Sequence, residues 1–253
     1  VEDLAQDETV DLHRGSRTIP EREHPEGALV GADALWYGPV VQLRGDGAAE
    51  LSALPFAPGE SPFRVKGTAY RGHLEYTERH VPGGVKGMVS GFEDPRLRRF
   101  FEQPFLAATL YDVFPLAVAG IVCARLSGMP FLDFVRVRSE AQARSDSSGV
   151  YKVLLALASP EAVASRLPRL VGQYFDFGET QIVEQSKKRV LMTRTGMPQP
   201  LAPWYVTVSE AYVRIVVAQA GGQDPRLELV DVTPEAPRGA ISIVTLRMDM
   251  TWR

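Results

Sequence analysis

Ile241-Ser242-Ile243-Val244-Thr245-Leu246-Arg247-Met248-Asp249-Met250 carries the clearest strand pattern in the chain. Ser242, Val244, Leu246, Met248 and Met250 alternate with Ile241, Ile243, Thr245, Arg247 and Asp249. One face is apolar and the other grows polar, the mark of a strand with one covered face. Working back, Leu227 to Val232 reads as a second strand. Gly221-Gly222 ends a helix in which Leu201, Tyr205, Val208, Tyr212, Ile215 and Gln219 recur at helical spacing. Thr180 to Gln185 and Arg189 to Thr195 read as two strands joined by a Ser186-Lys187-Lys188 turn. The C-terminal order is therefore β-β-α-β-β.

Helices precede these strands. Thr68 to His80 has helical spacing, with Tyr70, Leu74 and Thr77 on one side, and Pro82-Gly83-Gly84 stops it. Asp94-Pro95 is a cap and first-turn proline for a helix over Arg96 to Gln103. Pro115 opens a helix that is apolar nearly all round and is closed by Gly128, which predicts a central buried helix. Phe131 to Arg144 reads as amphipathic, with Phe131, Phe134 and Val135 opposing Arg136, Arg138 and Glu140. Val150 to Ala158 is a further helix. Ser159-Pro160-Glu161 starts another that runs to Phe175. Helices followed by segregated strands predict an α+β fold, an antiparallel sheet with helices on one face.

The first part of the chain differs. Residues 1–60 hold 12 acidic and 4 basic residues, whereas the whole 253-residue chain holds 31 and 28, a net charge of −3. Residues 1–26 read as an acidic flexible arm. Residues 27–60 read as short strands or a linker, with Leu35-Trp36-Tyr37 and Val40-Val41-Gln42-Leu43 as strand candidates and Gly45-Asp46-Gly47 as a turn. The main domain is expected over 61–253. Thr9, between Glu8 and Val10 in the arm, is a candidate phosphosite.

Composition narrows the class. Hydrophobic residues are 45% and charged residues 23%, enough for a substantial core. The single cysteine, Cys123, excludes an internal disulfide framework. The longest apolar run, Phe114 to Ala124, is shorter than the roughly 20 residues of a bilayer span. Val1-Glu2-Asp3-Leu4 lacks a signal-peptide pattern, so a cytoplasmic location with no membrane partner is expected. The basic clusters Arg96/Arg98/Arg99, Arg136/Arg138 and Lys187/Lys188/Arg189 are short and read as solvated surface, with no nucleic-acid partner.

Val65-Lys66-Gly67-Thr68-Ala69-Tyr70, the run Tyr111 to Pro115, the segment Tyr174-Phe175-Asp176-Phe177-Gly178-Glu179 and the β-β-α-β-β close together resemble H-NOX domains, the haem-based gas sensors. The progression is also similar to the wider group with TRAPP-like and four-vinyl-reductase-like ligand domains. It is most similar to an uncharacterised paralogous family expanded in myxobacteria. The resemblance covers roughly residues 64–253. It implies haem held by a histidine on the helix before the strands, and a Tyr-x-Ser-x-Arg signature for the propionates. This chain departs on both counts. All four histidines, His13, His24, His73 and His80, precede residue 81, and the corresponding helix reads Arg166-Leu167-Pro168-Arg169-Leu170. The signature's place holds Leu191-Met192-Thr193-Arg194-Thr195. Haem without an axial ligand is not fixed, so no cofactor is expected.

Other constellations read as structure. His73 and His80 lack the spacing of a helical zinc pair and read as exposed polar side chains. Cys123 reads as a small buried hydrophobe. Gly83-Gly84-Val85-Lys86-Gly87 follows no strand and reads as a loop, not a phosphate cradle. No nucleophile elbow, Walker loop or dinucleotide fingerprint occurs. Asp112, Asp176, Glu179 and Arg194 are the candidates for a site assembled only in space.

Two functions follow as expectations. The first is a non-catalytic, haem-free signalling or protein-interaction domain with a signalling protein partner and a homodimer as a candidate state. The second is a sensor that holds a small apolar ligand between helices and sheet. Tyr111, Phe114, Tyr174, Trp204 and Tyr205 are its candidate pocket residues.

Overall fold

In a computed structural model of the chain, residues 43, 45–53, 56–148 and 158–253 are described. The arm at 1–26, Thr9, the strand candidate at 35–37 and the helix predicted at 150–158 (all but Ala158) lie outside these residues, as does the candidate at 40–43 except Leu43.

The turn at Gly45-Asp46-Gly47 leads into a short helix α1 (Ala48–Ser52), whose Leu51 is buried in the main core. Strand β1 (Arg64–Lys66) runs directly into helix α2 (Gly67–His80). Helices α3 (Gly84–Ser90) and α4 (Pro95–Phe100) follow. Strand β2 (Leu110–Asp112) pairs antiparallel with β1 and leads into α5 (Phe114–Leu126). Helix α6 (Phe131–Asp146) comes next, then two short helices, α7 (Pro160–Ala164) and α8 (Leu167–Tyr174). The remainder is β3 (Thr180–Ser186), β4 (Arg189–Pro198), α9 (Ala202–Gln219), β5 (Arg226–Arg238) and β6 (Ile241–Thr251). The fold is α+β, and the C-terminal order is the β-β-α-β-β read from the sequence.

The second sheet has the order β3-β4-β6-β5 with every neighbour antiparallel. On β6, Val244, Leu246, Met248 and Met250 are buried, as the alternation requires, but Ser242 of the same set is exposed and Ile241 and Ile243 of the other set are buried. Helix α9 packs on β5 and on α6. Helix α5 is buried nearly all round and packs on α6. It ends in a Schellman motif. Met129 donates to the Ala124 carbonyl and Gly128, at φ 64°, donates to that of Arg125. At the start of α4 the Asp94 carboxylate accepts from the Arg96 amide at 2.8 Å, with Pro95 in the first turn.

Four readings are corrected. The helix predicted from 160 to 175 is two helices that break at Ser165-Arg166. Pro168 has no N–H to donate and its ring would strike the carbonyl of Ala164 in a continuous helix. The glycine run at 83–87 is not a loop: Gly83, at φ 79°, caps α3. His73 is not exposed but 3% accessible. Arg138 belongs to the buried face of α6, not the solvated one, because Phe131, Phe134, Val135 and Arg138 follow the i, i+3, i+4, i+7 spacing of a single stripe. Among the described residues no single helix is long and apolar enough to cross a membrane, and α5 and α6 meet at 107°.

Candidate functional site

The segment Tyr174 to Glu179 joins the two sheets. Val65 and Phe175 form an antiparallel bridge. The Asp176 carboxylate accepts from the Arg64 amide at 2.8 Å, and the Asp176 amide donates to the Arg64 carbonyl at 3.2 Å. Next along, the Phe177 carbonyl accepts from Arg194 Nη2 on β4. Gly178, at φ 67°, then crosses against β4 so closely that a Cβ would lie 2.2 Å from the Thr195 carbonyl oxygen. Its neighbour there is Gly196, at φ 64°, in the bulge of β4. Glycine is required where the backbone is left-handed and the space is filled.

This splice holds α8 over the sheet and leaves a cleft between them. Its walls come from the start of α2, the last two turns of α6, α8, the inner faces of β4 and β6, and α9. The cavity is about 130 Å³ and its surface is chiefly apolar. Three of the five expected pocket residues meet here: Tyr174 on α8, and Trp204 and Tyr205 on α9. The helical stripe Tyr205, Val208, Tyr212 lines the same wall. Phe175 lies edge-on to Trp204 and Tyr205, with ring centroids 6.4 and 5.8 Å away. Half-exposed Leu170 sits on the α8 side.

The other two expected residues lie elsewhere. Phe114 stacks on Phe56 and meets Phe63 edge-on, at a different cavity of about 290 Å³ beside α4 and α5. Tyr111 packs on Tyr70 and Phe105, and its hydroxyl accepts from the Leu106 amide at 2.9 Å. A third, shallow groove of about 690 Å³ is lined by Glu140, Arg144, Glu210 and Arg214, where Glu140 pairs with both Arg144 and Arg214.

Polar residues line the α6 side of the cleft. Arg138, Gln142 and Asp146 stand one helical turn apart. Arg138 is 9% accessible and donates from Nη2 to the Ala69 carbonyl at 3.0 Å and to Gln142 Oε1 at 3.3 Å. Gln142 donates to Asp146 Oδ1 at 2.6 Å, and the Tyr174 hydroxyl donates to Asp146 Oδ2 at 3.4 Å. Burial dominates the titration of this row. It lowers the Arg138 guanidinium to about 10, raises the Asp146 carboxyl above its ordinary range, and pushes the Tyr174 hydroxyl to about 12 and that of Tyr212 further up. The sequence reading missed this row by assigning Arg138 to solvent. The signal was present, since positions 138, 142 and 146 continue the stripe begun at Phe131, Phe134 and Val135.

Among the described residues no ion pair or side-chain hydrogen bond joins the four residues proposed for a site assembled in space. Asp112 is buried: its Oδ2 accepts from the Gly59 and Ser61 amides at 3.0 and 3.2 Å and its Oδ1 from that of Phe114 at 3.0 Å. Asp176 and Arg194 are engaged as above. The Glu179 backbone hydrogen-bonds Thr195. Cys123 is fully buried, its sulfur 3.5 Å from Thr77 Oγ1 and 3.8 Å from His73 Nε2, and burial raises the thiol to about 11. Among the described residues no three His, Cys, Asp or Glu side chains are placed to hold a metal.

A helix-walled antiparallel sheet with a cleft between the two is an H-NOX-like arrangement, and comparison with solved structures agrees. A point mutant of the H-NOX protein from K. algicida, in its Fe(II) unliganded form, superposes with a TM-score of 0.50 at 11% identity, covering 74% of this chain and 96% of the other. The unmutated K. algicida protein gives 0.49 at 10% identity, over 74% and 96%. An H-NOX protein from S. oneidensis, in its Fe(II)NO state, gives 0.47 at 10%, over 74% and 99%. No protein-family model matches the chain, and no curated protein matches its sequence.

Haem does not fit the residues of this cleft. Helix α8 presents Leu167, Leu170, Val171 and Tyr174 to it and no imidazole. His73 lies on α2, beside a separate void of about 10 Å³. The wall does hold tyrosines and methionines, which ligate haem iron in other proteins. The volume is nevertheless close to that of an apolar cavity of about 150 Å³ that takes up benzene or xenon. A porphyrin is several times larger.

Proposed function

We propose that this chain is a non-catalytic signalling domain that senses a small, mainly apolar molecule in the cleft between α8, α9 and the sheet, without haem. The observation that carries this reading is the cleft itself: an apolar cavity of about 130 Å³ where Tyr174, Trp204 and Tyr205 converge. Aromatic and aliphatic walls with a few placed polar groups are the usual make-up of a small-molecule site. The H-NOX-like fold supports it, because the K. algicida H-NOX mutant that shares the fold is named for its Fe(II) unliganded state, a ligand-binding centre in that protein. The non-catalytic part rests on Asp112, Asp176 and Arg194, each of which hydrogen-bonds the backbone of a loop or strand. A protein partner in the cytoplasm reads the ligand state.

The test is native mass spectrometry of the full chain as purified from cells, with an absorption spectrum of the same sample and a second spectrum after adding toluene. The expected result is no Soret band, and an adduct much lighter than haem that is either retained or formed with toluene. Stoichiometric haem overturns the reading. So does a bare mass that toluene leaves unchanged.

A further inference from the structure

We propose that the ligand of this cleft carries a carboxylate, and that Arg138 holds it. The inference rests on the small-molecule reading above and names the chemistry of that molecule.

A guanidinium has five N–H donors and no means of losing its charge at neutral pH. Arg138 spends only Nη2, on Ala69 and Gln142. Among the described residues Nε has no partner and none reaches Nη1, and Asp146, whose charge acts on Arg138, is linked to it only through Gln142. A buried cation is costly unless it is paired and hydrogen-bonded. Here the cation is nine-tenths buried and lines an apolar cleft, so a small anion in the cleft supplies what it lacks. A carboxylate suits the planar fork, which it can engage with two oxygens.

The surrounding groups allow this. Asp146 is the only carboxylate among the described cleft-lining residues, and it accepts from Gln142 and Tyr174, one on each oxygen. Burial raises its carboxyl, while the Gln142 hydrogen bond, the Arg138 charge and the Tyr174 hydrogen bond lower it in part. His73, Tyr76, Cys123, Tyr174 and Tyr212, the other titratable groups around Arg138, all favour their neutral forms at pH 7. The volume restricts the rest of the molecule to about the size of a benzene ring or a short alkyl chain.

Calorimetry on the full chain with benzoate against benzyl alcohol, and hexanoate against hexan-1-ol, tests this. At least one acid is expected to bind about tenfold or more tightly than its alcohol. Whichever pair shows the preference distinguishes an aromatic from an aliphatic acid. Arg138→Met is expected to abolish the preference and Arg138→Lys to retain part of it. If Arg138→Met does not fold, the Arg138 Nε–H resonance of the unaltered chain serves instead: it is expected to move with the acid and not with the alcohol. Equal binding of acid and alcohol, or an unmoved resonance, overturns the inference and leaves the small-molecule reading standing. No binding of any of the four overturns both.

Discussion

Arg194 on β4 donates from Nη2 to the carbonyl oxygen of Phe177, and its guanidinium carbon stands 5.8, 5.7 and 5.6 Å from the ring centroids of Phe175, Phe177 and Tyr205. Only 1% of this residue is accessible. The arginine is a strut between β4 and the segment that positions α8. Arg194→Met keeps the apolar stem and removes every donor. It is expected to cost about 2–4 kcal/mol, from a charged hydrogen bond and desolvated cation–ring contacts. Urea unfolding of both proteins measures the difference.

Gly178 meets β4 at the other end of the same strut. An alanine there would need a left-handed backbone and would place its Cβ 2.2 Å from the Thr195 carbonyl oxygen. Gly178→Ala is therefore expected to destabilise the fold by about 2–4 kcal/mol, strain and overpacking combined. Gly172→Ala, on α8 with open space around it, is the control and is expected to be neutral or mildly stabilising. Thermal unfolding of the two variants side by side reads the contrast.

Buried His73 gives the fold an acid limb. Burial first, and the Arg138 charge second, lower its imidazole from 6.5 to about 3. The unfolded chain therefore takes up a proton below about pH 6.5 that the folded chain refuses. Stability from this group is complete above that pH and falls as pH drops toward 3, by up to about 1.4 kcal/mol per unit. His73→Gln is expected to remove that part of the slope between about pH 6 and 4. Denaturant titrations of both proteins at a series of pH values test it.

Cys123 is expected to be inert in the native state. Its thiol is fully buried and raised to about 11, so little thiolate forms near neutral pH. Labelling by a disulfide reagent should proceed only through unfolding, with a rate that rises with denaturant in step with loss of ellipticity. Rapid labelling of the folded protein would place Cys123 near a surface or a channel.

Much of this fold is legible in local pattern. Two-residue alternation marks β6, and Asp94-Pro95 and Ser159-Pro160 mark the helix starts where their side chains do accept amides. The site is only half legible. Tyr174, Trp204 and Tyr205 could be named because aromatics gather at such clefts, but Phe114 and Tyr111 share that property and pack elsewhere. Nothing local says which wall an aromatic faces. The three-residue strands β1 and β2 were missed because they are too short to show a period, and their pairing joins positions 46 apart in sequence, as in Val65 with Tyr111. Arg138 was misassigned by residue type, when its position in the helical stripe was the better guide.

The most direct test of ligand binding in the helix–sheet cleft is amide and side-chain NMR of the full chain titrated with toluene and, separately, with benzoate. The expected result is saturable shifts centred on Tyr174, Trp204, Tyr205 and Tyr212, with Arg138 moving for benzoate. Shifts centred instead on Phe56, Phe92 and Phe114, or none that saturate, would contradict it.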